Sequence, residues 1–168
     1  MAQQSYPTLN GEAQSWANIE VKSTLYDGPS IDLSDIVGLD WDVSAERGTQ
    51  RMTNGAIKAF TRGQSTPTGK ISFYADGCVG FIEKLIDIAI AKGFVENGEA
   101  KYGMVAFDVV IQHTPLGATG IRQVELLGCQ VSKDAASYAE GTDADKNDLE
   151  IVVKRVVRTI NGKKGSLL

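Results

Sequence analysis

The sequence predicts a mainly β protein of the α+β class, an antiparallel β-barrel or sandwich with one flanking α-helix. Two observations support this fold class. Apolar and polar residues alternate over several runs that Gly, Pro and Asn separate, which is the pattern of strands joined by turns. One segment, residues 76–92, instead carries apolar residues at helical spacing. Such a helix must lie on a sheet or barrel to bury its apolar stripe.

Length and charge limit the class of protein. The 168 residues fit one domain, which at this size buries roughly 70% of the unfolded surface and needs no disulfide or metal. We predict a flexible arm over residues 1–14, one β domain over 15–160 and a C-terminal tail over 161–168. The net charge of −4 argues against a reader of nucleic-acid sequence, because phosphate binding needs a basic surface. The absence of a recognisable membrane span or signal peptide predicts a cytoplasmic protein without a membrane anchor.

The first half of the domain is predicted to consist of strands and their connections. Residues 16–26 form the first strand and 27–29 a turn. Residues 39–46 alternate most clearly, with an apolar face opposite an acidic face that carries Asp40, Asp42 and Glu46. Residues 47–55 are predicted to form a projecting basic loop. Two further strands at 57–62 and 70–75 are separated by a turn at 63–69.

The helix is predicted from Asp76 to Lys92. Asp76 is a candidate N-cap, because its carboxylate can accept from free amides of the first turn. Phe81, Leu85 and Ile88 recur at helical spacing and are predicted to pack on the barrel of the same subunit. Gly93 is predicted to end the helix.

The second half is again predicted to be β. Residues 102–113 form a long strand, 121–133 its antiparallel partner, 134–147 an acidic surface loop and 148–160 the last strand. Cys78 and Cys129 lie in apolar contexts, which predicts two buried free thiols. Trp16 and Trp41 are predicted to be core residues.

No motif predicts a catalytic, cofactor or metal site, so we do not expect an enzyme. Residues 63–70 have the wrong glycine spacing for a phosphate loop. Asp143, Asp145 and Asn147 resemble the start of a calcium loop, but Asp148 stands where that loop needs glycine, and a solvated loop is favoured. His113 is the only histidine, which leaves neither a paired metal ligand nor a convincing catalytic base.

The remaining charged groups are interpreted as solvated. Asp40 and Asp42 project about 7 Å apart from one strand face without apolar neighbours, which indicates a solvated face and not a hydrolytic carboxylate pair. The end of the chain is basic and is predicted to discourage strand pairing or to dock a partner. Its residues are Lys154, Arg155, Arg158, Lys163 and Lys164.

Several pieces of the sequence, in order, resemble bacteriophage tail tube proteins. The central piece is a T-R-G-Q run before a turn and an aromatic strand, and its residues are Thr61, Arg62, Gly63, Gln64, Gly69, Ile71 and Phe73. Residues 15–21 (SWANIEV), 124–128 (VELLG) and 149–158 (LEIVVKRVVR) are also similar. The resemblance spans nearly the whole chain.

The resemblance implies a structural virion protein with a small β-barrel and a flanking helix. Subunits of this family close into hexameric rings that stack into a tail tube, through which DNA passes without specific binding. The implied partners are other copies, a tape-measure protein, baseplate or tail-tip proteins, a terminator and, in a contractile tail, a sheath. The implied location is the virion tail, assembled in the host bacterial cytoplasm. A tube subunit of a bacterial secretion or contractile-injection apparatus is the alternative, and a small-ligand barrel or enzyme is a third.

Within this hypothesis we predict two kinds of functional surface. Asp40, Asp42 and Glu46 line the lumen, where negative charge repels passing phosphates. Contacts between subunits pair a basic group with an acidic group on a neighbour. The basic residues are Arg47, Arg51 and Arg62, and the acidic residues are Glu140, Asp143 and Asp145.

Overall fold

The computed structural model describes residues 19–25, 30–32, 36–63, 65–113, 122–137 and 145–167. In these residues the chain is mainly β with one α-helix, which confirms the predicted fold class. The first elements are β1 (Ile19–Leu25), β2 (Ser30–Asp32), β3 (Ile36–Asp42), β4 (Arg47–Arg51), β5 (Ile57–Arg62), β6 (Thr68–Tyr74) and α1 (Ala75–Ala91). The others are β7 (Val95–Glu96), β8 (Glu99–Ala100), a 3-10 turn (Tyr102–Met104), β9 (Phe107–His113), β10 (Arg122–Ser137), β11 (Lys146–Val152), β12 (Arg155–Ile160) and β13 (Lys163–Gly165).

Nine of the strands form one curled antiparallel sheet in which β10 has two roles. Its first part pairs with β9 and β12, in a half-sheet of order β2-β1-β9-β10-β12-β13. Its second part pairs with β11, in a half-sheet of order β10-β11-β6-β3. We call these the first and second half-sheets. They curl around a shared core like a half-barrel, joined along β10.

A glycine allows β10 to pass from one half-sheet to the other. Gly128 has a φ of +66°, and a Cβ at this position would lie 2.9 Å from the Cβ of Lys154. The Lys154 amide donates to the Leu127 carbonyl at 3.1 Å. The bend of β10 therefore lies against the break between β11 and β12, and only glycine combines this backbone conformation with this approach.

The helix packs its buried side chains between the two half-sheets. The ring of Phe81 stacks on Phe73 of β6 at 5.5 Å and meets Phe107 of β9 edge-on at 5.3 Å. Phe81 and Leu85 are buried, and Ile88 is partly buried against the same core. A single helix thus covers residues from both half-sheets.

The helix boundaries differ slightly from those predicted. The helix begins at Ala75, and Asp76 lies in its first turn without acting as a side-chain cap. The Ala75 amide instead donates to the backbone carbonyl of Asp145 at 3.1 Å. The helix ends at Ala91, and Gly93 follows with a φ of +75°, as expected of a glycine stop.

Two predictions about strands were wrong. Residues 47–55 are not one loop, because residues 47–51 form β4, which pairs with β5 in a hairpin. The predicted turn connects β5 and β6, which belong to different sheets, and β6 begins earlier than predicted, at Thr68. The last predicted strand is two strands, because the chain breaks at residues 153–154 opposite the bend of β10.

Smaller differences concern element ends. Residues 102–104 form a 3-10 turn before β9, and residues 134–137 continue β10 instead of starting a loop. The last part of the predicted tail includes β13, which pairs with β12. The predicted arm over residues 1–14, Trp16 and the turns at 27–29 and 114–120 lie outside the described residues.

Both cysteines are free and buried, as predicted. Burial raises the pKa of the Cys129 thiol to about 12, and burial likewise raises the pKa of the Cys78 thiol. Because the thiolate is the reactive form, neither side chain is suited to nucleophilic or redox chemistry.

We expect both thiols to resist modification in the folded protein. At pH 8 a thiol reagent should label fewer than about one in ten molecules in the time that it labels all unfolded molecules. Mass spectrometry after labelling with and without urea measures the difference. Rapid labelling of the folded protein at either position would contradict the burial described above.

Candidate interaction surfaces

The β4–β5 hairpin stands apart from the curled sheet. Within the described residues its two strands pair only with each other, and every residue of β4 is exposed. A hydrogen bond holds the two strands together at the base of the hairpin, where the Gly63 amide donates to the Glu46 carbonyl at 2.7 Å. A Cβ on Gly63 would lie only 2.3 Å from that carbonyl oxygen, so this approach requires glycine.

The hairpin exposes large apolar side chains. Phe60 is 67% exposed, and Met52 and Ile57 are each nearly half exposed. An isolated exposed residue is ordinary, but three on one projecting element suggest a surface that a partner covers.

The hairpin also concentrates positive charge. Residues 47–62 contain Arg47, Arg51, Lys58 and Arg62 and no acidic residue. The register places Arg47 directly opposite Arg62. An acidic surface of another molecule would complement the excess positive charge of residues 47–62.

A second feature is a groove between β3 and the β12–β13 pair. It encloses about 820 Å³ where the edges of the two half-sheets face each other. One wall consists of Trp41, Asp42 and Val43. The other is formed by Val156, Arg158, Ile160, Asn161, Lys163, Lys164, Gly165, Ser166 and Leu167.

The groove has apolar side chains, Trp41 and Val43, and one carboxylate, Asp42, in one wall, and basic side chains in the other wall. Trp41 is only partly buried although it was predicted to be core, because it lies where the core opens into the groove. Lys164 is 3.4 Å from Glu125, whereas no described residue forms an ion pair with Arg158 or Lys163. A ligand with both apolar and acidic groups would match this lining.

The groove and the hairpin base lie at one end of the second half-sheet, and the exposed Asp145 lies at the other end. At one end, Trp41 pairs with Gly69 and Asp42 with Thr68, beside the groove and the start of the hairpin. At the other end, Lys146 pairs with Tyr74 directly after the acidic residues 140–145. These ends are six residues apart along β6, which corresponds to about 20 Å.

The outer face of the second half-sheet is mixed in charge. Asp40 and Asp42 are exposed on β3, but the register places Lys70 beside Asp40. Lys70 forms an ion pair of 2.6 Å with Asp148, which also accepts from the Ser72 hydroxyl at 2.6 Å. The hydrogen bonds from Lys70 and Ser72 lower the pKa of the Asp148 carboxyl. The purely acidic face predicted from β3 alone therefore applies to that strand and not to the whole half-sheet.

The structure brings only some of the predicted site residues together. Arg47 and Arg51 are exposed on β4, and Glu46 is exposed at the base of the hairpin. Asp145 is exposed at the opposite end, whereas Glu140 and Asp143 lie outside the described residues.

Sequence reasoning missed Phe60 and the groove. The four basic residues and the absence of acidic residues between positions 47 and 62 were the available signal for the hairpin.

The described part of the chain contains no candidate metal site. No group of three or more His, Cys, Asp or Glu side chains there could hold a metal ion. The helix that the structure describes is not long and apolar enough to cross a membrane.

Comparison with solved structures shows the fold. No protein-family model and no curated protein matches the chain. The cap of the anti-feeding prophage (AFP), its tube terminating cap, matches with a TM-score of 0.61 at 13% identity, over 95% of this chain and 99% of that chain. The sheath–tube complex of the extracellular contractile injection system PVC, in its extended state, matches with a TM-score of 0.58 at 12% identity, over 88% and 91%. The six-fold symmetrised AFP baseplate matches with a TM-score of 0.53 at 12% identity, over 92% and 97%.

These matches give the chain a tail-tube-like fold along most of its length.

Proposed function

We propose that this chain is a structural subunit that builds the tube of a tail-like contractile injection apparatus. The observation that carries the proposal is the fold match, which includes nearly all of this chain and nearly all of the AFP tube cap. The exposed apolar and basic hairpin supports it, because such a surface suits a subunit buried in an assembly. The subunit works through its surfaces and not through a catalytic centre.

Copies close into six-membered rings, and the rings stack. Self-complementary patches alone give closed pairs, whereas different patches that meet head to tail allow both ring closure and open growth. The unlike ends of the second half-sheet fit the second arrangement. Further partners are a sheath, a terminator and a baseplate, in keeping with the assemblies in which the matched structures were determined.

Stacking pairs Arg47, Arg51 and Arg62 of one ring with the acidic residues of the next. The acidic residues are Glu140, Asp143 and Asp145. Charges of this kind set register more than affinity, and salt weakens them because the Debye length is about 8 Å at physiological ionic strength.

The outer face of the second half-sheet lines the lumen, with Asp40, Asp42 and Glu46 toward the axis. Its interleaved charges give passing cargo no continuous basic surface to bind. A phage tail tube with a tape-measure protein and DNA as cargo is the second candidate, favoured by the resemblance at Thr61, Arg62 and Gly63. In either case the subunit is assembled in a bacterial cytoplasm.

Electron microscopy of the purified protein tests the proposal. We expect rings with six-fold symmetry and a central channel, together with stacked tubes. Dispersed monomers at micromolar concentration and low salt would contradict a tube-forming role. A map with resolved side chains tests the lumen assignment, which fails if Asp40 and Asp42 point to the outside.

A further inference from the structure

We infer that the groove between β3 and the β12–β13 pair is the seat for the acidic segment of residues 138–145 from a second copy. The inference rests on the proposed function, because it names the partner of a subunit that stacks head to tail. It goes further by assigning a specific acceptor site, which the proposal for the hairpin does not include.

The chemistry of the segment matches the lining of the groove. Residues 138–145 (YAEGTDAD) carry three carboxylates and no basic side chain. The basic wall offers Arg158 and Lys163, neither of which has an ion-pair partner among the described residues. Trp41 in the opposite wall offers an apolar contact for the ring of Tyr138. Arg47 begins the hairpin four residues after Val43 in the wall, so the hairpin base flanks the same seat.

The segment cannot occupy the groove of its own subunit. Both of its ends are fixed, because Ser137 pairs with Lys146 across β10 and β11. The nine Cα–Cα steps from Ser137 to Lys146 let the loop reach at most about 16 Å from that pair, since each extended step spans at most about 3.6 Å. The groove begins about 20 Å away along β6. The occupant therefore comes from another copy, whose acidic end approaches the basic end of this one.

Cysteine cross-linking between two tagged versions of the full chain tests this contact. One version carries Lys163→Cys and the other Asp143→Cys. The native thiols are buried and do not interfere. The matched control replaces Lys163→Cys with Lys84→Cys, which changes an exposed lysine on α1. A disulfide forms only when the two Cα atoms come within about 7 Å.

After mild oxidation we expect about tenfold more mixed disulfide from the groove pair than from the helix control, because a specific contact raises the effective thiol concentration. Non-reducing gels with differently sized tags measure it. Gly165→Cys serves as a second groove position, where a Cβ meets no atom within 4 Å. Each variant must keep the melting temperature of the unchanged protein.

The outcomes separate this inference from the proposed function. If the unchanged protein forms tubes but neither groove cysteine cross-links above the control, the inference is overturned and the proposed function stands. If microscopy shows only monomers, the proposed function fails, and the same gel still decides whether copies meet through the groove. Cross-linking above the control at both groove positions supports the inference in either case.

Discussion

Replacing Leu85 with alanine is expected to lower the free energy of unfolding by about 2 to 5 kcal/mol. Leu85 is fully buried on the helix face that covers both half-sheets. Its truncation removes apolar contacts and leaves a cavity that the close-packed core cannot fill completely. Urea unfolding followed by circular dichroism measures the loss.

Ile90→Ala on the same helix is the matched control. Ile90 is 57% exposed, so its truncation should change stability by less than about 1 kcal/mol. Both variants must be compared at one protein concentration, because assembly adds to apparent stability. Equal effects of the two substitutions would show that the core does not depend on the Leu85 face as described.

Reversing the acidic end is expected to abolish tubes. In the variant Asp143→Lys with Asp145→Lys, two lysines would face the basic end of the next subunit, and like-charge contacts cost several kcal/mol. Adding Arg47→Glu and Arg51→Glu should restore part of the tubes, because it exchanges the charges at the hairpin but leaves Arg158 and Lys163 of the groove facing the two lysines. Electron microscopy at low and high salt counts tubes in each variant.

Glu83→Lys with Asp87→Lys provides a control of equal charge change. Both residues are exposed on α1, and this variant should form tubes as the unchanged protein does. The pairing is wrong if the acidic reversal leaves tubes intact or if the fourfold variant fails to regain them. The variant Arg158→Glu with Lys163→Glu then tests the groove separately, because it changes charge only in the groove and leaves the hairpin unchanged.

The helix and the strands around it were predictable from sequence because their signals are local. Alternation at residues 70–74 and helical spacing after Asp76 reflect one buried face each. Gly93 marks the end of the helix by its own backbone preference. The pairing of β10 with β9 also followed from two adjacent strands separated by a short turn.

The pairing of β4 with β5 was missed, although β5 itself was predicted, because β4 is exposed along its whole length. Without a core to face, β4 lacks the alternation that identifies a strand, and the glycine and asparagine of residues 47–55 suggested a loop. The break between β11 and β12 was missed for another reason. Residues 153–154 contain no Gly or Pro, and the bend is imposed by Gly128, more than twenty residues earlier in the chain.

The groove could not be predicted because its walls come from residues 41–43 and 156–167. Only the order of strands in the curled sheet brings these segments together. The basic character of the wall at residues 156–167 could be seen in the sequence. Trp41, in the opposite wall, belongs to a strand whose apolar face the sequence assigned to the core.

The two ends of the second half-sheet differ in charge, so each subunit has a direction along the axis of assembly. Two copies that meet through these ends must point the same way, because the reversed arrangement would place two basic ends or two acidic ends against each other. A filament built on this contact has no two-fold axis perpendicular to its length, and its two termini present different chemistry to the surroundings. The component that starts such a filament and the component that stops it must therefore carry surfaces of opposite sign, and neither can substitute for the other.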